Sequence, residues 1–186
     1  LMHDAEDHIK EAVENAFPVL AELRSQGLIK AIGLGMNYVA PALEIMRQTD
    51  LDIALIAGRF TLLDQSAQHE LFPYALANNI DISMGGVLNS GVLANPVAGA
   101  TYNYLPASDE IIARAAKIGA FLKERNAPLI ATALQFPLRH PAVTSVLTGP
   151  RTSAELRANA ADFDLELPAG IWAELEDAGL IERIQV

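Results

Sequence analysis

Five short segments carry residue types able to do chemistry, and four of them follow an apolar run. The first is His3-Asp4. An imidazole titrates near neutrality, so His3 can polarise a carbonyl or relay a proton; the pair reads equally as an ordinary surface loop. Glu6, Asp7 and His8 follow, but their spacing matches no His-Glu-x-x-His pattern, and no metal site is expected there. Carboxylates in that place suit a solvated helix start. The second segment, Gly33-Leu34-Gly35-Met36-Asn37, is not a Gly-x-Gly-x-x-Gly fingerprint. Its glycines admit close approach of a ligand. Asn37 offers a donor and an acceptor, as recognition of a carboxamide requires, although an Asn helix cap fits the same place. The third runs from Ala57 through Gly58-Arg59 to Asp64. The fourth, Gly85-Gly86-Val87-Leu88-Asn89-Ser90-Gly91, pairs glycines that either clear space for a planar group or serve a turn needing positive φ. The last is Thr148-Gly149-Pro150-Arg151-Thr152-Ser153-Ala154-Glu155, with Asn159 beyond it. Arg151 beside a helix start makes a phosphate site, since free N–H groups point outward there. Thr152 and Glu155 also form a capping box, so Glu155 suits a cap and a ligand role alike.

The elements that position these residues are short. Ile29–Leu34, Leu51–Ala57, Ile80–Met84 and Ala142–Leu147 are brief apolar runs without strict alternation, the pattern of strands covered on both faces. The opening Leu-Met-His-Asp reads as the end of a further strand. Helical spacing predicts helices from Pro18 to Gly27, Ala40 to Arg47, Ser66 to Ala77, Asp109 to Arg125, Leu129 to Leu138, from Thr152, and from Pro168 to Ala178. Asn95 to Ser108 reads as a long polar loop. Strand–helix alternation with short links implies parallel strands and crossover helices. The expected fold is α/β, the C-terminal part of a (β/α)8 barrel, with residues 1–186 as one domain forming its later half.

The totals agree with a real core. The chain has 186 residues, 51% apolar and 19% charged, against ~250 residues for a full barrel of this kind. A net charge of −10 argues against nucleic acid or anionic membrane partners. The absence of Cys excludes disulfides and thiolate sites. No run of apolar residues is long enough to span a bilayer, and the start does not resemble a signal peptide, so a cytoplasmic address is expected.

Taken together, the segments resemble the aldo-keto reductase superfamily over nearly the whole chain. The matching stretches are Gly27-Leu-Ile-Lys-Ala-Ile-Gly-Leu-Gly-Met-Asn37, Ala57-Gly-Arg-Phe-Thr-Leu-Leu-Asp64, Asn89-Ser-Gly-Val-Leu93, Gly99-Ala-Thr-Tyr-Asn-Tyr104 and Ala133-Leu-Gln-Phe-Pro-Leu-Arg-His-Pro141. Within it they are similar to the aldose 1-dehydrogenase branch, with its L-fucose, D-threo-aldose and pyridoxal relatives. The resemblance implies hydride transfer between a nicotinamide and a cyclic hemiacetal, with a Tyr, tuned by Lys and Asp, as general acid/base. It puts His3 at the family's catalytic His. The Asp, Tyr and Lys belong to strands expected before Leu1, and Tyr38, Tyr74, Tyr102 and Tyr104 do not match the catalytic Tyr. Asn37 matches the residue that holds the carboxamide. Gly85, Ser90, Gly91, Gly149, Arg151, Glu155 and Asn159 fall on cofactor-binding positions. Ala57 and Gly85 stand where the family commonly has Gln and an aromatic ring. The cofactor is NAD or NADP. Relatives preferring NADP often carry Arg or Gln where Glu155 stands, so NAD is favoured. The loop from Asn95 to Ser108, with Tyr102 and Tyr104, either folds over the pocket or is a surface excursion.

The expected partner is a small sugar or aldehyde. Half a barrel leaves open sheet edges, so the missing strands, or a second copy in a homo-oligomer, are expected to complete it. The alternative is a truncated, non-catalytic nucleotide-binding fragment that needs a partner chain. A phosphate-binding barrel isomerase would want a carboxylate at the fourth strand exit, where only glycines stand.

Overall fold

The expectation of strands covered on both faces holds at Gly33–Met36 alone among the described strands: burial alternates along Ile53–Ala57, and in Val143–Val146 only Val143 is buried, because one face of the arc lies open. The computed structural model describes residues 1–185. Five parallel strands form one sheet in the order β1 (Met2–His3), β2 (Gly33–Met36), β3 (Ile53–Ala57), β4 (Asp81–Gly85) and β7 (Val143–Val146). Helices α3 (Val39–Gln48) and α4 (Leu71–Ala77) cross between neighbouring strands. α5 (Asp109–Lys123) and α6 (Leu129–Gln135) lead into β7, and α7 (Ser153–Phe163) and α8 (Ile171–Asp177) follow it. This is the repeat of a (β/α)8 barrel, represented by an arc. Among the described residues, β1 pairs only with β2, and β7 only with β4.

Two departures from the expected boundaries, at the first helix and at β2, have an identifiable cause. The first helix begins at Ile9 (α1, Ile9–Glu11), nine residues ahead of Pro18. It widens into a π-helical stretch, Ala12–Ala16, and continues as α2 (Phe17–Ser25). Pro18 has no N–H and its ring crowds the carbonyl four residues back, so a widened turn just before it relieves both problems. Gly27, at φ 72°, ends the helix as expected: its N–H donates to the Arg24 carbonyl, and that of Leu28 to Leu23. The ladder of β2 starts at Gly33 rather than Ile29. The Asp52 carboxylate takes the Ile32 N–H at 2.6 Å and is itself held by Arg24 at 2.8 Å. The Ile32 bond is the first cause, and Arg24 a further one, that keeps Asp52 below the usual carboxylate range. A 3-10 turn, Ser66–Gln68, splits the expected helix from Ser66 to Ala77. Residues 95–108 contain a small antiparallel hairpin, β5 (Thr101–Tyr102) with β6 (Leu105–Pro106).

The core lies between sheet and helices. Phe60, Phe72 and Phe136 are fully buried and meet at 4.9 Å between ring centroids on either side of Phe60. His140 completes the cluster, 4.6 Å from Phe72 and 1% exposed. Both its nitrogens are used. Nδ1 accepts from the Ala142 N–H at 3.1 Å, so Nε2 carries the proton and donates to the Gln185 carbonyl at 2.9 Å. Gln65 and Gln68 accept from the N–H groups of Glu182 and Gln185. The last turns of chain are thereby tied to the loop after β3.

Burial pushes the His140 imidazole below its usual 6.5, with the Gln185 bond opposing. The unfolded chain therefore takes up this proton first. Its contribution is complete above pH 6.5 and is lost as pH falls from there toward the folded value. Urea midpoints measured across that range should decline in the wild type, and less steeply in His140→Gln. A second expectation concerns the first two strands. A Cβ on Gly35 would sit 2.4 Å from the His3 ring. Gly35→Ala should displace the exposed His3 ring, shifting its resonances, while the urea midpoint changes little.

Candidate functional site

The site is built where parallel strands end, because loops from successive units converge there. His3 is paired with Gly35 in the sheet. Its imidazole lies against Gly35, in space that any side chain would fill. Asp4 turns the chain with φ 51°, and its N–H donates to the Gly35 carbonyl at 3.0 Å. That turn aims its carboxylate at the next exit, where the Asn37 amide donates to Asp4 Oδ1 at 3.0 Å. Asn37 is not a helix cap: α3 is capped by Tyr38, without a side-chain bond.

Arg59 joins the second and third exits. Its Nε donates to the Asn37 carbonyl at 2.6 Å and its Nη1 to Asp64 at 3.1 Å. The side chain is 13% exposed, so this pair is worth more than a surface bridge. Tyr102, in the hairpin, packs into the same group. Burial pushes its phenol up, the Asp64 carboxylate adds to this, and Arg59 and Arg114 oppose it. Tyr102 therefore stays protonated at neutral pH. Arg59 was not among the expected site residues. The available signal was a cation flanked by an apolar strand and buried aromatics.

Two clefts open at these exits. One, of about 330 Å³, is lined by His3, Asn37, Gly85, Gly149 and Tyr104. Ala57 and Gly85 line it with almost no side chain, and this gives the cavity its width. The other, of about 640 Å³, is lined by Ser90, Gly91, Gly149, Arg151, Glu155 and Asn159. The clefts share Gly86, Leu147, Thr148 and Gly149, so they form one elongated trough. At Gly86, with φ 60°, a Cβ would stand 3.1 Å from the Gly58 nitrogen; only glycine fits without strain. The nine expected residues thus lie along a single trough, His3 at one end and Asn159 at the other.

Several of them already have partners. The Ser90 hydroxyl accepts from the Tyr104 N–H at 3.1 Å. Thr152 caps α7, its Oγ1 accepting from the Glu155 N–H at 3.1 Å. The reciprocal bond of a capping box is displaced by one residue, because Glu155 Oε2 accepts from the Arg151 N–H at 2.7 Å. Glu155 is therefore both a cap and a wall of the cleft. The N–H groups of Ser153 and Ala154 have no protein acceptor among the described residues. No group of three or more His, Cys, Asp or Glu among the described residues could hold a metal ion. No helix among them is long and apolar enough to cross a membrane.

The trough can take a long ligand with a planar group near His3 and an anionic portion near α7. Residues 1–179 match the model of the aldo/keto reductase family. A D-threo-aldose 1-dehydrogenase from Pseudomonas sp. is 40% identical over 183 residues, covering 97% of this chain and 56% of that protein. A pyridoxal 4-dehydrogenase from Microbacterium luteolum is 41% identical over 166 residues, covering 89% of this chain and 48% of that protein. The chain thus spans about half the length of the curated relatives it matches. In fold it is similar to a holo-form aldo-keto reductase from Bacillus halodurans, with TM-score 0.68 and 23% identity over 99% of this chain and 58% of that one. With its parallel strands, its glycine-lined trough and a match over residues 1–179, this chain belongs to the aldo/keto reductase family.

Proposed function

We propose that this chain forms the cofactor-holding side of an NAD(P)-dependent oxidoreductase that oxidises a cyclic hemiacetal, such as an aldose or pyridoxal, to its lactone. One observation carries the reading. The candidate substrate residue His3 and the candidate cofactor residues line two clefts that meet at Gly149. The relatives that act on D-threo-aldoses and on pyridoxal support the substrate class.

The residues present fit a dinucleotide. Ser153 and Ala154 offer free N–H groups at the start of an eleven-residue helix, where an anion is favoured. A Cβ at Gly149 would meet nothing within 4 Å, so the backbone there is open to close approach. Asn37 retains its Oδ1 and one amide proton for a carboxamide, since only one donor is used on Asp4. The bound nicotinamide supplies the hydride chemistry. His3 orients the substrate oxygen, and Gly35 fixes where its ring stands. The proton-transferring Tyr, with Lys and Asp, is assigned to strands that complete the ring beyond β1 and β7. Those strands come from the same polypeptide or from a partner chain.

Glu155 favours NAD. Glu155 lines the larger cleft with its Oε1 3.5 Å from the Arg151 guanidinium; the carboxylate disfavours a 2′-phosphate and can accept a bond from a free 2′-hydroxyl. The complete polypeptide should reduce NAD with L-fucose, D-arabinose or pyridoxal, followed by nicotinamide absorbance. No turnover with any cyclic hemiacetal would contradict the reading. Glu155→Arg in that polypeptide should improve kcat/KM for NADP by roughly tenfold, the effect of one added charge contact. Unchanged preference would remove Glu155 from the cofactor site.

A further inference from the structure

Tyr104 stands at the tip of the β5–β6 hairpin, beside the candidate site. It is 79% exposed. Its backbone is left-handed, φ 65°, beside Asn103 at φ 49°. A bulky residue adopts that conformation only when its surroundings impose it. They do so here. The Ser90 hydroxyl accepts from the Tyr104 N–H at 3.1 Å, and the Thr101 hydroxyl donates to the Ser90 carbonyl at 2.6 Å. The Ala107 N–H closes the base of the hairpin on the Ala100 carbonyl at 2.9 Å. Tyr102, half-buried near Arg59 and Asp64, anchors its middle. The fixed tip lines the cavity that also holds His3 and Asn37.

That cavity has a particular chemistry. His3, Asp4 and Asn37 put hydrogen-bonding groups on one side. An aldopyranose has a face of C–H groups and a rim of hydroxyls. An aromatic face suits the former, and the polar groups suit the latter.

We propose that Tyr104 is a substrate-binding residue that stacks on the pyranose ring of an aldose. This rests on the hemiacetal-oxidising reading above and adds a residue to it. Tyr is suited to the role because it gives a large, rigid contact at little entropic cost.

The test uses the complete polypeptide, with L-fucose as the sugar and Leu105→Ala as a control on the same hairpin. Sugar binding is read by saturation-transfer NMR, and KM and kcat by nicotinamide absorbance. Tyr104→Ala should weaken L-fucose binding and raise its KM by roughly fivefold to tenfold, while Tyr104→Phe stays within about twofold of wild type. Leu105→Ala should match wild type. The dinucleotide dissociation constant, from fluorescence titration, should be unchanged in all variants. L-fucose binding unaffected by Tyr104→Ala would overturn the proposal alone. So would an equal loss in Leu105→Ala, or a loss confined to dinucleotide binding. A wild type that neither binds nor oxidises L-fucose would overturn this proposal, and the functional reading would then stand or fall on the other hemiacetals.

Discussion

Gly35 has no side chain, and the imidazole of His3 occupies the place a Cβ would take. Much of the site depends on that close approach. It accompanies the register of β1 on β2, with His3 opposite Gly35 and Met2 opposite Leu34. The register brings the Asp4 N–H to the Gly35 carbonyl and its carboxylate to Asn37. Arg59 then holds the Asn37 carbonyl from the third exit, and Tyr102 brings the hairpin onto Arg59. Steric permission at one residue is thus converted, bond by bond, into the relative positions of three loops and a hairpin.

The same economy of side chains gives the trough its width. Ala57, Gly85 and Gly86 are neighbours at the ends of β3 and β4, and Gly85 pairs with Ala57. Ala57 and Gly85 stand where the superfamily that the sequence resembles commonly has Gln and an aromatic ring. Here a phenol ring lining the cleft belongs to Tyr104, carried on the turn between β5 and β6. A ring carried on a hairpin and a ring carried on a strand differ in what can vary around them. The hairpin can change length or sequence without disturbing the sheet.

Local pattern made much of this legible. Short apolar runs located the strands to within a few residues, and the residues at their exits are the ones that line the trough. The failures come where a distant group decides the outcome. Asp52 takes the Ile32 N–H and delays β2, although the run from Ile29 looks like strand throughout. A π-helical stretch carries the first helix through a region that Pro18 had seemed to open. The hairpin escaped notice because each strand has two residues, too few for any period, and its turn lacks glycine. The tie between His140, Gln68 and Gln185 joins positions far apart in sequence, and no spacing rule reports such contacts. The roles of Arg151 and Glu155 were partly readable. The helix cap was visible as Thr-x-x-Glu, whereas the bond from the Arg151 N–H to Glu155 needed the fold.

The central claim is that one ligand spans both clefts, its redox-active ring at His3 and Asn37 and its anionic portion at the start of α7. A crystal structure of the complete polypeptide with a nicotinamide dinucleotide tests it most directly. The account predicts the carboxamide on Asn37, the pyrophosphate running past Gly149, and the adenosine beside Glu155 and Asn159. A dinucleotide bound elsewhere, or lying with its adenine against His3, would contradict it.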